Sequence, residues 1–393
     1  MECWCGNQDL LPFSPDYQVC NRCQTLVLSE IIIENTPVVP DDDSFYGKAY
    51  WFDHQQNDLG LDDILSRSRT DMPERVLYWL NTFLKYKIPP AKTLEIGCSH
   101  GGFVAMLRLA SFQSSGLELS PWVVDFARKT FDIPMYLGPL EDQEIEPGTL
   151  DAIIMMDVLE HLPDPLTTIR TARQLLKEDG FLLIQTPCYP EGRSFESLQQ
   201  ENTPFLQMLK PPEHVFLFSQ SSVRQLFQSF DLPIVSFEPA IFSQYDMFLV
   251  ASQAPLPTHT PEEIAQSLLT SPGGRIVLAL LDIDKSQSDQ LKIIEQHGQR
   301  LGILEAEGND LQYLLNEKIS QLEACETDRA ARLEVIHKQS SQYEELNARY
   351  AELSTRHENL LQAKFSMRVV PLEKRVRSLL KKSPGKLHHQ DKK

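Results

Sequence analysis

Residues 93–103, TLEIGCSHGGF, decide how the chain folds. TLEI is an apolar run of strand length, and GCSHGG leads from it directly into a helical pattern that begins near Phe103. Strand, glycine-bearing turn and helix, in that order, open an α/β unit built on a mostly parallel sheet. The glycines let the chain turn tightly, and they let a ligand approach the backbone and the N-terminus of the helix.

A second strand, SSGLEL, carries Glu118 near its end, and Ser120-Pro121 then caps and opens the helix WVVDFARKTF. An ionised carboxylate at that place can accept two hydroxyl hydrogen bonds, which suits a ribose diol. Dinucleotide sites use G-x-G-x-x-G, whereas Ser99 stands here at the second glycine position. Glu95, two residues before Gly97, suits a ligand bearing an ammonium and a sulfonium better than one bearing a pyrophosphate.

Downstream, DAIIMM reads as a buried strand with Asp157 at its C-terminal end, where open α/β sheets place their ligand crevice. Pro163-Asp164-Pro165 starts the next helix, so Glu160 and His161 fall on a short turn between strand and helix. LTTIRTARQLLKEDG predicts that helix, FLLIQTP a further strand, and PPEHVFLFS contributes a distant histidine, His214. Asp157, Glu160, His161 and His214 offer oxygen and imidazole ligands for a hard divalent cation such as magnesium. An acid–base role for either histidine is a second reading, since imidazole titrates near neutrality. A third has the histidines bond to backbone and orient their loops.

Residues 91–252 together resemble the class I S-adenosylmethionine-dependent methyltransferases. The first motif of that family, E/D-x-G-x-G-x-G, is matched by Glu95, Gly97 and Gly101, with Ser99 replacing the middle glycine. The resemblance implies a Rossmann-like, seven-stranded methyltransferase sheet. It also implies that Glu95 and the backbone at Gly97, Ser99 and Gly101 line the methionine part of the cofactor, while Glu118 takes the ribose. The adenine position falls on Leu140 and Glu141 in GPLEDQ, Asp157 contacts the cofactor, and Asp157, His161 and His214 are the catalytic candidates. The D-x-x-E-H segment with its distal histidine is similar to that of ubiquinone-pathway O-methyltransferases and RNA 3′-end 2′-O-methyltransferases, both of which use a metal.

Seven cysteines are present and four of them cluster, as Cys3, Cys5, Cys20 and Cys23. Two pairs with fourteen residues between them can close a tetrahedral four-cysteine zinc site, and a lobe so poor in apolar residues needs such a staple to fold. A zinc lobe ahead of a methyltransferase domain is similar to the arrangement in bacterial deoxysugar C-methyltransferases.

The C-terminal part departs from that family. Taking Ile294 as position a, a 3,4 step reaches Leu301, Leu304, Leu311, Leu315, Leu322, Ile336, Leu346, Leu353 and Leu360, the pattern of a coiled coil. Gly308, Lys318, Arg329 and Arg332 interrupt the seam, which leaves a long helix packed back on the body as the alternative. The predicted organisation is a zinc-binding lobe (1–45), a helical connector (46–90), the methyltransferase domain (91–252), a linker with short helices (253–289), the coiled coil (290–365) and a basic tail (366–393).

The formal net charge of -18 argues against general nucleic-acid binding. No apolar stretch approaches the ~20 residues of a membrane-spanning helix, and MECWCGNQDL lacks the form of a signal peptide. A cytoplasmic protein is expected, with the coiled coil forming a homo-oligomer. The basic tail could hold the chain at the inner face of a membrane or to an assembly complex. Architecture favours a sugar or other small-molecule acceptor in surface-glycan biosynthesis. The alternatives are a catalytically inactive scaffold acting through its coiled coil, and a metal-assisted O-methyltransferase of a quinone-like or RNA 2′-hydroxyl acceptor.

Overall fold

The computed structural model describes residues 2–30, 51, 62–340 and 354–364, which fall into two units, Met1–Lys292 and Ile293–Lys393. Parts of the expected zinc lobe, connector and coiled coil, and the whole basic tail, lie outside the described residues. Three short strands come first: β1 (Leu10–Pro12), β2 (Tyr17–Cys20) and β3 (Leu26–Leu28). Helix α1 (Ile64–Asp71) is capped by Asp63, whose carboxylate accepts from the Ser66 amide at 2.8 Å. A π-helical turn at Met72–Val76 joins it to α2 (Leu77–Tyr86).

From residue 92 strands and helices alternate. They are β4 (Lys92–Ile96), α3 (Gly102–Leu109), β5 (Gln113–Glu118), α4 (Pro121–Phe131), β6 (Met135–Leu137), β7 (Leu150–Met156), α5 (Pro165–Leu175) and β8 (Leu176–Pro187). After a short helix α6 (Phe195–Gln200) come β9 (Phe216–Leu217), α7 (Gln220–Gln228), β10 (Ile234–Glu238) and β11 (Asp246–Ser252). Seven of these strands form one sheet in the order β10-β11-β8-β7-β4-β5-β6. β4 lies parallel to both β5 and β7, and β11 runs antiparallel to β8 and β10. This is a mixed α/β fold on a Rossmann-like, mostly parallel sheet.

Both faces of the sheet are covered, which explains why its central strand, β7, is apolar throughout 152–156 instead of at alternate positions. Along β7, Ile153 and Met155 join a core with Ile169 and Ala172 of α5 and Val223 and Leu226 of α7. Ala152, Ile154 and Met156 face the other way, toward Trp79 and Phe83 of α2 and Phe103 of α3.

Two boundaries differ from the sequence reading. The pattern LTTIRTARQLLKEDG predicts helix to its end, yet α5 stops at Leu175 and LKEDG is the start of β8. Pairing of Leu150 with Leu176 takes the chain into the sheet earlier, and the Lys177 ammonium reaches Asp151 at 2.9 Å across the pair. The stretch after β11 forms helices α8 (Pro261–Leu268) and the beginning of α9 (Pro272–Ser340). There Ile264, Leu268 and Val277 are buried with Trp79 and Phe83, so these residues belong to the core of the first unit.

In the second unit α9 exposes Ile294, Leu301, Leu304, Leu311 and Leu322 along its seam. The Arg329 guanidinium lies 3.3 Å from His357 Nε2. Continuous helix over 28 residues would separate them by about 42 Å. The helical segment 354–364 therefore lies beside α9 and does not prolong it.

Candidate active site at the ends of the central strands

The turn after β4 is held in a form that needs its glycines. Gly97 and Gly101 have φ of +64° and +83°, and a Cβ on Gly101 would lie 2.3 Å from Ile133 Cδ1. Ser99 adopts a left-handed φ of +49° at the place where the family motif has glycine. Its amide donates to Glu118 Oε2 at 3.1 Å, and the Leu119 amide donates to Glu118 Oε1 at 2.8 Å. The acid at the end of β5 thus braces the turn after β4.

His100, a residue with no assigned role in the sequence reading, anchors the same turn. Its Nδ1 accepts from the Gly102 amide at 3.1 Å and its Nε2 donates to Asp71 at 3.0 Å. Asp71 also faces Arg67 at 3.2 Å and Arg75 at 3.7 Å. Burial opposes its ionisation, but the His100 hydrogen bond and the two guanidinium charges outweigh that and hold its carboxyl below the usual carboxylate range.

Inside this frame two buried polar atoms, Glu95 Oε2 and Ser99 Oγ, have no hydrogen-bond partner among the described residues. Burial pushes the Glu95 carboxyl up to about 8, against the Val104 amide and aided by the charge of Glu118. Burial also raises Glu118, although the amides of Leu119, Ser99 and Ser120 restrain the shift. Buried groups of this kind fit a cationic ligand with hydroxyls, which would supply the missing charge and donors. The donor set therefore fits S-adenosylmethionine.

The turn after β7 stands against the first, since a Cβ on Gly97 would lie 2.6 Å from Val158 Cγ2. Asp157, at φ +56°, accepts from Gln185 Nε2 at 3.0 Å, and Gln185 Oε1 accepts from the Trp79 indole at 3.0 Å. Glu160 is 1% exposed and accepts from the Thr186 hydroxyl at 2.9 Å. Burial first, and the charge of Asp157 second, push its carboxyl well up. His161 Nδ1 donates to the Glu213 carbonyl at 2.9 Å, and His214 Nδ1 donates to the Met208 carbonyl at 2.7 Å. Carbonyls only accept, so both rings carry the proton on Nδ1 and keep the Nε2 lone pair.

The two rings meet edge-on with centroids 4.8 Å apart, and Glu160, His161 and His214 each bring one ligand atom within 4.8 Å of the others. Burial holds both imidazoles below their usual range, His214 further than His161. Neutral imidazoles braced by carbonyls, together with a carboxylate, make a donor set that fits a divalent cation.

At the N-terminus, Cys3 Sγ lies 3.5 Å from Cys23 Sγ and Cys5 Sγ lies 3.6 Å from Cys20 Sγ. All four sulfurs fall within 4.8 Å of one another. Those separations are close to the ~3.8 Å edge of a tetrahedral zinc–thiolate site and far from a disulfide bond. Asn7 Nδ2 at 3.3 Å from Cys20 Sγ and Thr25 Oγ1 at 3.2 Å from Cys23 Sγ add polar contacts to the sulfurs. The donor set fits zinc.

The structure thus brings Glu95, Gly97, Ser99, Gly101 and Glu118 together, and beside them Asp157, Glu160, His161 and His214. Leu140 is buried in the core, while Glu141 accepts from the Thr168 hydroxyl of α5 at 2.6 Å. Sequence reasoning missed Asp71, Trp79, Gln185, Thr186 and Asp246. Asp246 opens β11 and is raised to about 8 by burial and by Asp157. Polar residues at strand ends, as in QTP and YDMFLV, are the signal that points to Gln185, Thr186 and Asp246.

The raised Glu95 carboxyl has a stability consequence. Between its unfolded value near 4.5 and its folded value near 8 the native state keeps a proton that the unfolded chain has released. Stability from this group therefore falls as pH rises through that window. In ligand-free protein, Glu95→Gln should flatten the fall of Tm between pH 5 and pH 8.5, leaving the variant relatively more stable at the alkaline end. Parallel Tm profiles for the two proteins would contradict the assignment.

Comparison with known proteins is consistent with this geometry. Residues 68–236 match the family model described as a methyltransferase domain. The Ubiquinone biosynthesis O-methyltransferase of Xanthomonas campestris pv. campestris is 35% identical over 130 residues, covering 30% of this chain and 54% of that protein. The protein of the same name from Xanthomonas oryzae pv. oryzae is 29% identical over 128 residues, with the same coverage. The chain thus spans about half the length of the curated relatives it matches. Among solved structures, the PH0226 protein of Pyrococcus horikoshii aligns at 18% identity and a TM-score of 0.37, covering 52% of this chain and 97% of that one. Residues 68–236, which carry the glycine turn and the acids at the strand ends, are thus similar to a methyltransferase domain.

Proposed function

We propose that the protein transfers a methyl group from S-adenosylmethionine to a hydroxyl of a small molecule, with a divalent cation held by Glu160, His161 and His214. The observation that carries the reading is the fixed tautomer of both histidines, whose Nδ1 protons are spent on backbone carbonyls beside a buried carboxylate. Such a set orients lone pairs toward one point. The name of the Xanthomonas relatives supports an oxygen acceptor of quinol type. The four-cysteine cluster, which we assign to zinc, supports a sugar hydroxyl by analogy of architecture alone.

The transfer forms an O–CH3 bond and breaks the S–CH3 bond, leaving the electron pair on sulfur and releasing the hydroxyl proton. S-adenosylmethionine supplies the electrophilic methyl, and a bound cation would lower the pKa of the acceptor hydroxyl. The chain's own contribution is position. Glu95 would face the cofactor's ammonium and Glu118 its ribose hydroxyls, both on rigid strands. Asp157 is fixed by Gln185 and Trp79 at the border between the two ligands. A scaffold that no longer turned over would have no need of two buried acids with raised pKa, which lower its stability near neutrality.

Calorimetric titration with S-adenosylmethionine should show one site per chain, weakened at least about tenfold in Glu118→Ala, as expected for lost hydrogen bonds to a charged group. Undiminished binding in the variant, or none in the wild type, would sink the cofactor reading. Product mass spectrometry on sugar and ortho-dihydroxyaromatic acceptors then separates the two acceptor classes. The exposed seam of α9 supports self-association, which sedimentation velocity would read as a dimer or larger species; a monomer at micromolar concentration would exclude it.

A further inference from the structure

We propose that the four-cysteine lobe is a strut of the active site, and that metal in that lobe keeps His214 where the cation cluster needs it. The proposal builds on the reading of Glu160, His161 and His214 given above, but it stands on contacts of its own.

Among the described residues, the lobe does not complete its own sheet. Its strands are three, four and three residues long, and the fourth strand is β9, which pairs Leu26 with Leu217 and Val27 with Phe216. β9 begins two residues after His214. Val215, between them, is bonded on both sides: its carbonyl accepts from the Leu28 amide of β3 at 3.0 Å, and its own amide donates to the Glu160 carbonyl at 2.8 Å. One residue therefore ties the lobe to both halves of the cation cluster.

Tyr17 makes the second tie. Its side chain is fully buried, and its hydroxyl donates to the His214 carbonyl at 2.9 Å. Its ring shares a core with Leu28, Leu217 and Met208. Met208 is the residue whose carbonyl fixes the His214 ring through Nδ1. Tyr17 thus acts on the backbone of His214 directly, and on its tautomer through the packing of Met208. It is a positioning residue that touches no reactant.

The cysteines set where Tyr17 and Leu28 stand. Cys20 ends β2, and Cys23 lies in the turn that leads into β3. Cys3, Cys20 and Cys23 are buried in one core with Val27, Leu159, Val215 and Phe216. The ten described strand residues of the lobe cannot bury enough apolar surface to hold this arrangement by themselves, so a tetrahedral metal is what fixes the spacing of β2 and β3. Losing it would free the His214 and Val215 carbonyls and the edge of β9 together.

The test uses the full-length chain. Tyr17→Phe keeps the ring and removes one hydroxyl. Its zinc content and S-adenosylmethionine affinity should match wild type, because Glu95 and Glu118 stand on other strands. Its dissociation constant for Mn2+, read by electron paramagnetic resonance, should rise about tenfold, the effect of leaving one buried carbonyl unpaired. The 15N signal of the His214 imidazole should shift. Cys20→Ser with Cys23→Ser, checked for retained S-adenosylmethionine binding, should lower zinc content and weaken Mn2+ binding further. Wild-type Mn2+ affinity and an unmoved His214 signal in zinc-depleted protein that still binds S-adenosylmethionine would overturn the strut. If wild type binds no Mn2+, the cation reading fails, while the His214 signal in Tyr17→Phe still decides the strut.

Discussion

The parallel pairing of β4 with a neighbour on each side is the constraint from which the site follows. With β5 and β7 running the same way as β4, all three chains leave the sheet at one end and turn away in different directions. They leave at the C-terminal edge, which is where open α/β sheets take their ligands. Glu95 and Glu118 stand near the ends of β4 and β5, and Asp157 follows β7. The turns after β4 and β7 touch through Gly97 and Val158, so the two groups of polar residues stand side by side.

Placing acids at that edge works against folding. Glu95, Glu118, Glu160 and Asp246 all have raised pKa values, and in each the first cause is burial. Desolvated carboxylates either keep a proton or acquire a positive partner. Asp71 shows the contrast, because two arginines and a histidine surround it and it titrates below its ordinary range. By contrast, one oxygen of Glu95 is buried without a hydrogen-bond partner among the described residues, and Glu160 lies beside imidazoles that burial holds below their usual range.

Much of this could be read from sequence because the signals are local. TLEIGCSHGG holds strand, turn and helix within ten residues, and DAIIMM declares a strand buried on both faces. Glu118 and Asp157 could be placed at the C-terminal edge of the sheet because each closes an apolar run just ahead of a turn. What escaped reading is non-local. Trp79 reaches Gln185 across 106 residues, and Asp71 reaches His100 across 29, with no pattern in either segment to announce the partner. The same holds for β9, whose two residues pair with a strand almost two hundred positions away. The boundary at Leu175 was hidden for a different reason: LKED has helical propensity, and pairing with Leu150 overrides it. Along α9 the heptad positions were visible, but the sequence did not show that 354–364 lies beside Arg329.

The proposed function requires a nucleoside on Glu118 and a cation between Glu160, His161 and His214. Crystals grown with S-adenosylhomocysteine and Mn2+ test it in one measurement, by anomalous diffraction. The expected result is ribose density against the Glu118 carboxylate, with a manganese peak bounded by the Glu160 carboxylate and the Nε2 atoms of both histidines. A nucleoside bound away from Glu118, or a crevice with the nucleoside in place and no manganese peak at full Mn2+ concentration, would contradict it.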